Sequence, residues 1–201
     1  RQMCIRDRNK KVKNILTTER IVELMENKNF RQKKKKKLPK VLIVGGAGYI
    51  GSNLCQSLVS NNEVISLDNY LSGSRDNHVS GVSYLEGDAK NISVIVPDRD
   101  FDFLFHLGEY SRVEQSVQEP IFVLQNNIQP IFSILEFVYQ CSKCKLIYSG
   151  SSTKFGDGGR SIQESPYAFS KNTNSSIVSY YCKEWNLDYA ISYFYNVCLL
   201  Y

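Results

Sequence analysis

Apolar positions along the chain gather into short continuous runs, and longer amphipathic stretches separate them. VLIVGG (41–46) is such a run and ends in glycines, which suits a strand buried on both faces of a parallel sheet. Residues 49–60 follow with Ile50, Leu54 and Leu58 at helical spacing. EVISLD (63–68), VSYLEGD (82–88), DFLFHLG (102–108), KLIYSG (145–150) and DYAISYFYN (188–196) read as five further strands. Residues 112–140 read as one long helix, offset or kinked at Pro120 and Pro130, and residues 165–185 as another. The stretch between Asp68 and Val82 is too short for a full crossover helix. Strands alternating with helices mean βαβ units, hence an α/β fold with a doubly wound parallel sheet. Right-handed crossovers give the expected strand order 3-2-1-4-5-6.

The chain has 201 residues and is 42% hydrophobic, enough for one domain with a real core. No run approaches the roughly 20 apolar residues of a membrane span, and the start lacks a signal-peptide core, so a cytoplasmic protein away from membranes is expected. The net charge of +5 divides unevenly. Residues 1–40 hold 15 Lys+Arg against 4 Asp+Glu, and the remainder holds 10 against 16. The basic character therefore belongs to a leader, residues 9–39, whose lysine run reads as a solvated linker and not a nucleic-acid site. Cys141 and Cys144 form a lone CxxC with no second ligand pair, so free thiols and no metal site are expected. RQMCIRDR (1–8) can be written in codons that resemble a sequencing-library transposase adapter, and CLLY (198–201) resembles its reverse complement. Both segments are expected to be translated adapter, with residues 40–197 as the folded unit, a reading frame continuing past Val197 and Met25 as the candidate true start.

GGAGYIG places Gly45, Gly48 and Gly51 after a strand and at the opening of a helix. Glycines allow a tight turn and close approach to a pyrophosphate, and the helix start offers free N–H groups and a positive dipole end. Asp68 ends the next strand, where a carboxylate accepts hydrogen bonds from ribose hydroxyls and repels a 2′-phosphate. NAD is therefore expected over NADP, with Arg75 as the group nearby that argues the other way.

SPYAFSK puts Tyr167 and Lys171 four residues apart, on one helix face. A free tyrosine ionises near pH 10, whereas a useful base sits nearer the working pH. A neighbouring ammonium and a positive nicotinamide ring both favour the phenolate. Ser151 lies sixteen residues before Tyr167 at the C-terminal end of a strand, the edge where doubly wound sheets bind ligands. Ser149, Ser152 and Thr153 compete with it for the same role.

GGAGYIG, LDNYLSGS, EGDA, FHLG, NNI, IYSGSSTKFG, SPYAFSK and YFYNV occur in this order over residues 40–197. Together they resemble the extended short-chain dehydrogenases/reductases, the Rossmann-fold NAD-dependent nucleotide-sugar epimerases and dehydratases, and within them the UDP-glucose 4-epimerases most. The resemblance implies Tyr49 and Ile50 against the pyrophosphate and Asp68 and Asn69 at the ribose. Asp88 and Ala89 would then lie at the adenine, Leu107 and Gly108 along the cofactor, and Asn126 and Tyr195 would complete the pocket. It selects Ser151, with Tyr167 and Lys171, as the catalytic set; Lys171 would also hold the nicotinamide ribose. Asn196 matches a substrate-touching position. The implied reaction is 4-epimerisation of a nucleoside-diphosphate sugar by transient oxidation at C4. A 4,6-dehydratase is disfavoured, because Ser152 and Thr153 stand where such enzymes carry an Asp-Glu pair. A decarboxylase, a reductase or a non-catalytic NAD-binding module remain alternatives. The two long helices resemble those that pair in family homodimers. Glu109 departs from the pattern, since a small residue is usual there.

Overall fold

The computed structural model describes residues 37–155, 165–195 and 197. The two terminal adapter-like segments, nearly all of the basic leader and Asn196 lie outside the described residues. Six parallel strands form one sheet: β1 (Lys40–Val44), β2 (Glu63–Asp68), β3 (Ser83–Glu86), β4 (Phe103–His106), β5 (Lys145–Ser151) and β6 (Tyr189–Phe194). Their order across the sheet is β3-β2-β1-β4-β5-β6, the doubly wound order expected from the alternation. The order reverses between β1 and β4, which pair from Val41↔Phe103 to Val44↔His106. A crevice therefore opens beyond the C-terminal ends of these two strands.

Alternation along β1 shows how the sheet is buried on both faces. Val41 and Ile43 pack with Leu54, Cys55 and Leu58 of helix α1 (Tyr49–Leu58). Leu42 and Val44 face the larger core, with Ile131, Ile134, Leu135 and Val138 from α4 (Pro120–Gln140) and Val178 from α5 (Pro166–Glu184). By length and mean hydropathy α4 would also suit a membrane span, but in this fold its apolar face lies in that core.

Two details differ from the sequence reading. The expected single helix over 112–140 is two, α3 (Val113–Gln118) and α4, which abut at Glu119. Pro120 causes the break: it pushes Glu119 out of the helical region, to φ −127° and ψ 60°, and opens α4 as a proline at a helix start can. Pro130 lies buried within α4 without ending it. A short helix, α2 (Ile92–Ile95), follows β3 and was not expected. Between β2 and β3 only a 3-10 turn (Arg75–Asn77) forms, in keeping with the short span. Cys141 and Cys144 are buried free thiols at the start of β5, at the opposite end of the sheet from the crevice.

Candidate active site

The crevice begins at the turn after β1. Gly45 has φ +89°, and a Cβ there would stand 2.6 Å from the Gly108 backbone of the β4 loop. A Cβ on Gly51 would stand 2.0 Å from the Gly45 carbonyl oxygen. These contacts bring the first turn of α1 directly against the strand end. Ala47 is held in this turn by its backbone: its N–H donates to Asp68 Oδ2 at 2.8 Å, and its carbonyl accepts from Asn77 Nδ2 at 2.8 Å. Gly48 is the N-cap of α1, without a side-chain cap and without an acidic residue in the first turn. The helix start therefore keeps free N–H groups and its positive end for an anion.

Gly45 and Gly48 line a cleft of about 600 Å³ that opens to solvent, together with Asp68, Asn69, Asp88, Ala89, Leu107, Gly108, Glu109 and Asn126. The structure thus gathers most of the residues singled out for the cofactor. Asp68 is buried, and its second oxygen accepts from Tyr70 N at 2.8 Å. Asp88 caps the turn that follows β3, accepting from Lys90 N at 2.9 Å. Asn126 donates back to Phe122 O at 2.8 Å along its own helix. Arg75, the residue that favoured a 2′-phosphate, pairs with Glu86 at 2.5 Å and lies 4.5 Å over the Tyr70 ring. Tyr49, Ile50, Gly51, Tyr167, Lys171 and Tyr195 are not among the cleft's lining; Tyr49 and Tyr195 are exposed and Gly51 supports the turn from behind.

The uncapped helix start, a glycine turn that a Cβ would close and a carboxylate at the end of β2 fit a dinucleotide diphosphate with free ribose hydroxyls, which is NAD.

The second group of residues lies where α5 docks on β5. Ser165 caps α5 by accepting from Ala168 N at 3.1 Å, and Pro166 opens it. Tyr167 then falls in the first turn, partly buried, and Lys171 one turn later, 5% exposed. Lys171 Nζ donates to Ser149 O at 2.8 Å and to Ser149 Oγ at 3.2 Å. Ser151, two residues on along β5, is buried and accepts from Thr153 N at 3.3 Å and from Thr153 Oγ1 at 3.1 Å. Both of those bonds are accepted, so the Ser151 hydroxyl keeps its own proton to donate. Two of the three competing hydroxyls have other work: Ser149 holds the lysine, and Thr153 holds Ser151.

Sequence reasoning marked Glu109 as odd and assigned it no role. Its carboxylate is fully buried and pairs with Lys171 Nζ at 2.5 Å. It also accepts from Tyr148 Oη at 3.0 Å and from Asn174 Nδ2 at 2.8 Å. Burial first, then the Glu109 charge, pushes the Tyr148 phenol well up, so it remains a donor. His106 Nε2 stands 3.6 Å from Glu109 Oε1, beyond hydrogen-bond range, and neither ring nitrogen has a partner among the described residues. Burial, helped by the Lys171 charge and opposed by Glu109, lowers the His106 pKa to about 4, so the ring is neutral. Asn127 was also missed. It accepts from Tyr110 N at 2.7 Å and donates to Tyr110 O at 3.1 Å, fixing the loop that carries Glu109 to α4. Its signal in the sequence is its place beside Asn126 in NNI.

Comparison with known proteins agrees with this geometry. Residues 41–200 match the NAD dependent epimerase/dehydratase family. A UDP-glucose 4-epimerase of Lactobacillus helveticus is 29% identical over 170 residues, 79% of this chain and 52% of that protein. Among solved structures, the Bordetella bronchiseptica enzyme WbmF in complex with NAD+ and UDP superposes with a TM-score of 0.71 at 26% identity, covering 79% of this chain and 49% of that one. The UDP-N-acetylglucosamine 4-epimerase of Methanobrevibacter ruminantium M1, in complex with UDP-N-acetylmuramic acid, gives a TM-score of 0.66 at 27% identity over 78% of this chain and 54% of that one. The chain spans about half the length of these relatives.

Proposed function

The chain belongs to the NAD dependent epimerase/dehydratase family, and we propose that it is the cofactor-binding and catalytic part of a 4-epimerase of nucleoside-diphosphate sugars. The observation that carries this reading is the bond from Lys171 to Ser149, because it sets the Tyr167–Lys171 face of α5 against the strand that ends in Ser151. When bound, NAD supplies the acceptor and later the donor of a hydride at the sugar's C4. The protein's own residues supply the rest. Tyr167 takes the proton of the C4 hydroxyl and returns it when the sugar is reduced on its other face. Ser151 donates its free hydroxyl proton to the C4 oxygen and holds it in place. Lys171 fixes the ribose end of the cofactor beside Tyr167. Asp68 receives the adenosine ribose, and the α1 start receives the diphosphate. Ser152 and Thr153 lack the carboxylates needed to move protons at C5 and C6, which favours epimerisation over dehydration.

Exposed Phe132 and Tyr139 on α4 and Tyr180 on α5 support a homodimer through these helices, and a cytoplasmic location accords with the unpaired thiols. The test is incubation with NAD and a panel of UDP-sugars. Interconversion of C4 epimers is expected, and Tyr167→Phe is expected to lower turnover at least about a thousandfold while NAD binding stays. Full activity in that variant removes Tyr167 from its role. NAD binding by the unaltered chain with no interconversion of any sugar favours a non-catalytic binding module.

A further inference from the structure

Glu109 lines the cofactor cleft, and its buried carboxylate reaches the Lys171 ammonium behind it. Three acceptors surround the Lys171 ammonium: Ser149 O, Ser149 Oγ and Glu109 Oε2. Glu109, on the loop after β4, is met from three elements: Tyr148 on β5, Lys171 and Asn174 on α5, and neutral His106 at the end of β4. Asn174 also donates to Asn127 O on α4 at 2.8 Å, tying that helix to the same cluster. Glu109 lines the cofactor cleft, and its side chain is buried in the wall behind it.

We propose that Glu109 is the counter-ion of Lys171, a positioning residue that fixes the ammonium on Ser149 and cancels its charge at the nicotinamide end, so that the site favours the oxidised cofactor. The proposal rests on the NAD-dependent reading above. Oxidised nicotinamide carries a positive charge and reduced nicotinamide none. An unbalanced ammonium therefore disfavours the oxidised ring, and a neighbouring carboxylate removes that penalty. An epimerase that must end each cycle with oxidised cofactor gains from this balance.

The test is the ratio of two dissociation constants on the full 201-residue chain at fixed pH and low salt. NADH is titrated by its fluorescence and NAD+ by competition. Glu109→Gln is expected to raise the Kd ratio of NAD+ to NADH about tenfold, from the loss of one unit charge within roughly 10 Å. Glu109→Gln with Lys171→Met removes both charges and is expected to return the ratio to within about threefold of the unaltered chain. A Glu109→Gln ratio that does not move, with both forms weakened equally, overturns the proposal. If Glu109→Gln fails to fold, the double variant decides alone, because replacing a whole buried pair by neutral groups is commonly tolerated. Its ratio then stays near that of the unaltered chain. A fall of about tenfold means Lys171 acted without a counter-ion, and the proposal is wrong. An unaltered chain that binds neither cofactor form overturns the NAD reading and this proposal together. Normal binding by the unaltered chain with an unmoved Glu109→Gln ratio overturns this proposal alone.

Discussion

The two ends of the cleft are built in different ways. At the β1–α1 turn the construction is backbone on backbone. Gly45, Gly51 and Gly108 let three segments approach to distances that no Cβ allows, and Asp68 holds the Ala47 peptide. At the β4–β5–α5 end it is side chain on side chain: Glu109, Lys171, Tyr148 and Asn174 form a buried polar knot. The first end is governed by shape and has no room for a Cβ at Gly45 or Gly51. The second is governed by charge balance and tolerates changes of shape better than changes of charge. Substitutions should separate the two kinds of construction.

The largest effect is expected at the glycine turn. In Gly51→Ala the new Cβ stands 2.0 Å from the Gly45 oxygen and 2.7 Å from Gly46 Cα, both rigid backbone. A loss of about 3 kcal/mol or more is expected from such overpacking, with loss of NAD binding. In Gly48→Ala the nearest atom is the Gly45 oxygen at 3.4 Å, an ordinary contact, and φ is −79°. That change is expected to cost about 1 kcal/mol or less, as at other N-caps. Urea unfolding of the two variants measures both. Equal losses would show that close approach is not what the turn needs.

The second effect concerns the polar knot. The His106 pKa falls from its ordinary 6.5 to about 4 in the fold. The unfolded chain therefore binds more protons between those values, and stability rises with pH across that window. The contribution is complete above about pH 6.5 and is lost as pH falls toward 4. From pH 7.5 to pH 5 this one group is expected to remove about 2 kcal/mol. His106→Phe keeps an aromatic ring beside Tyr148 and cannot titrate, so its stability should fall by about 2 kcal/mol less over the same range. A difference between the two proteins that does not change with pH would remove His106 from this role.

These two ends were also unequally legible in the sequence. The turn was readable because its parts are local: a strand, three glycines and a helix start within a few residues, then Asp68 at the next strand end. The sheet order followed from alternation and handedness, and the apolar runs located all six strands to within a few residues. Ser151, Tyr167 and Lys171 were readable because their spacing is itself a pattern. Glu109 was visible only as a misfit. Its partners Tyr148, Lys171 and Asn174 lie 39, 62 and 65 residues away, and no local period records such a meeting. Asn127 drew no role of its own, because the Tyr110 backbone it serves is seventeen residues distant. The ISVI helix went unseen because a four-residue apolar run has no period to distinguish helix from strand.

The smallest expected effect lies at the outer rim of the first end, where charge does enter. Arg75 is the cation available there for a 2′-phosphate, and Glu86 occupies it at 2.5 Å across the surface. Glu86→Gln leaves Arg75 its charge and its place over the Tyr70 ring, and frees its guanidinium. Asp68 still repels a phosphate from inside the cleft, so NAD should remain preferred. Both Arg75 and Glu86 are exposed, and exposed pairs are screened by water and salt; the gain in NADP affinity relative to NAD is therefore expected to be about two- to fivefold at low salt, and to vanish at high salt. Competition of NADP against bound NADH at two salt concentrations measures it. A larger, salt-insensitive gain would mean that Glu86, and not Asp68, is the main discriminator, and that charge governs both ends of the cleft.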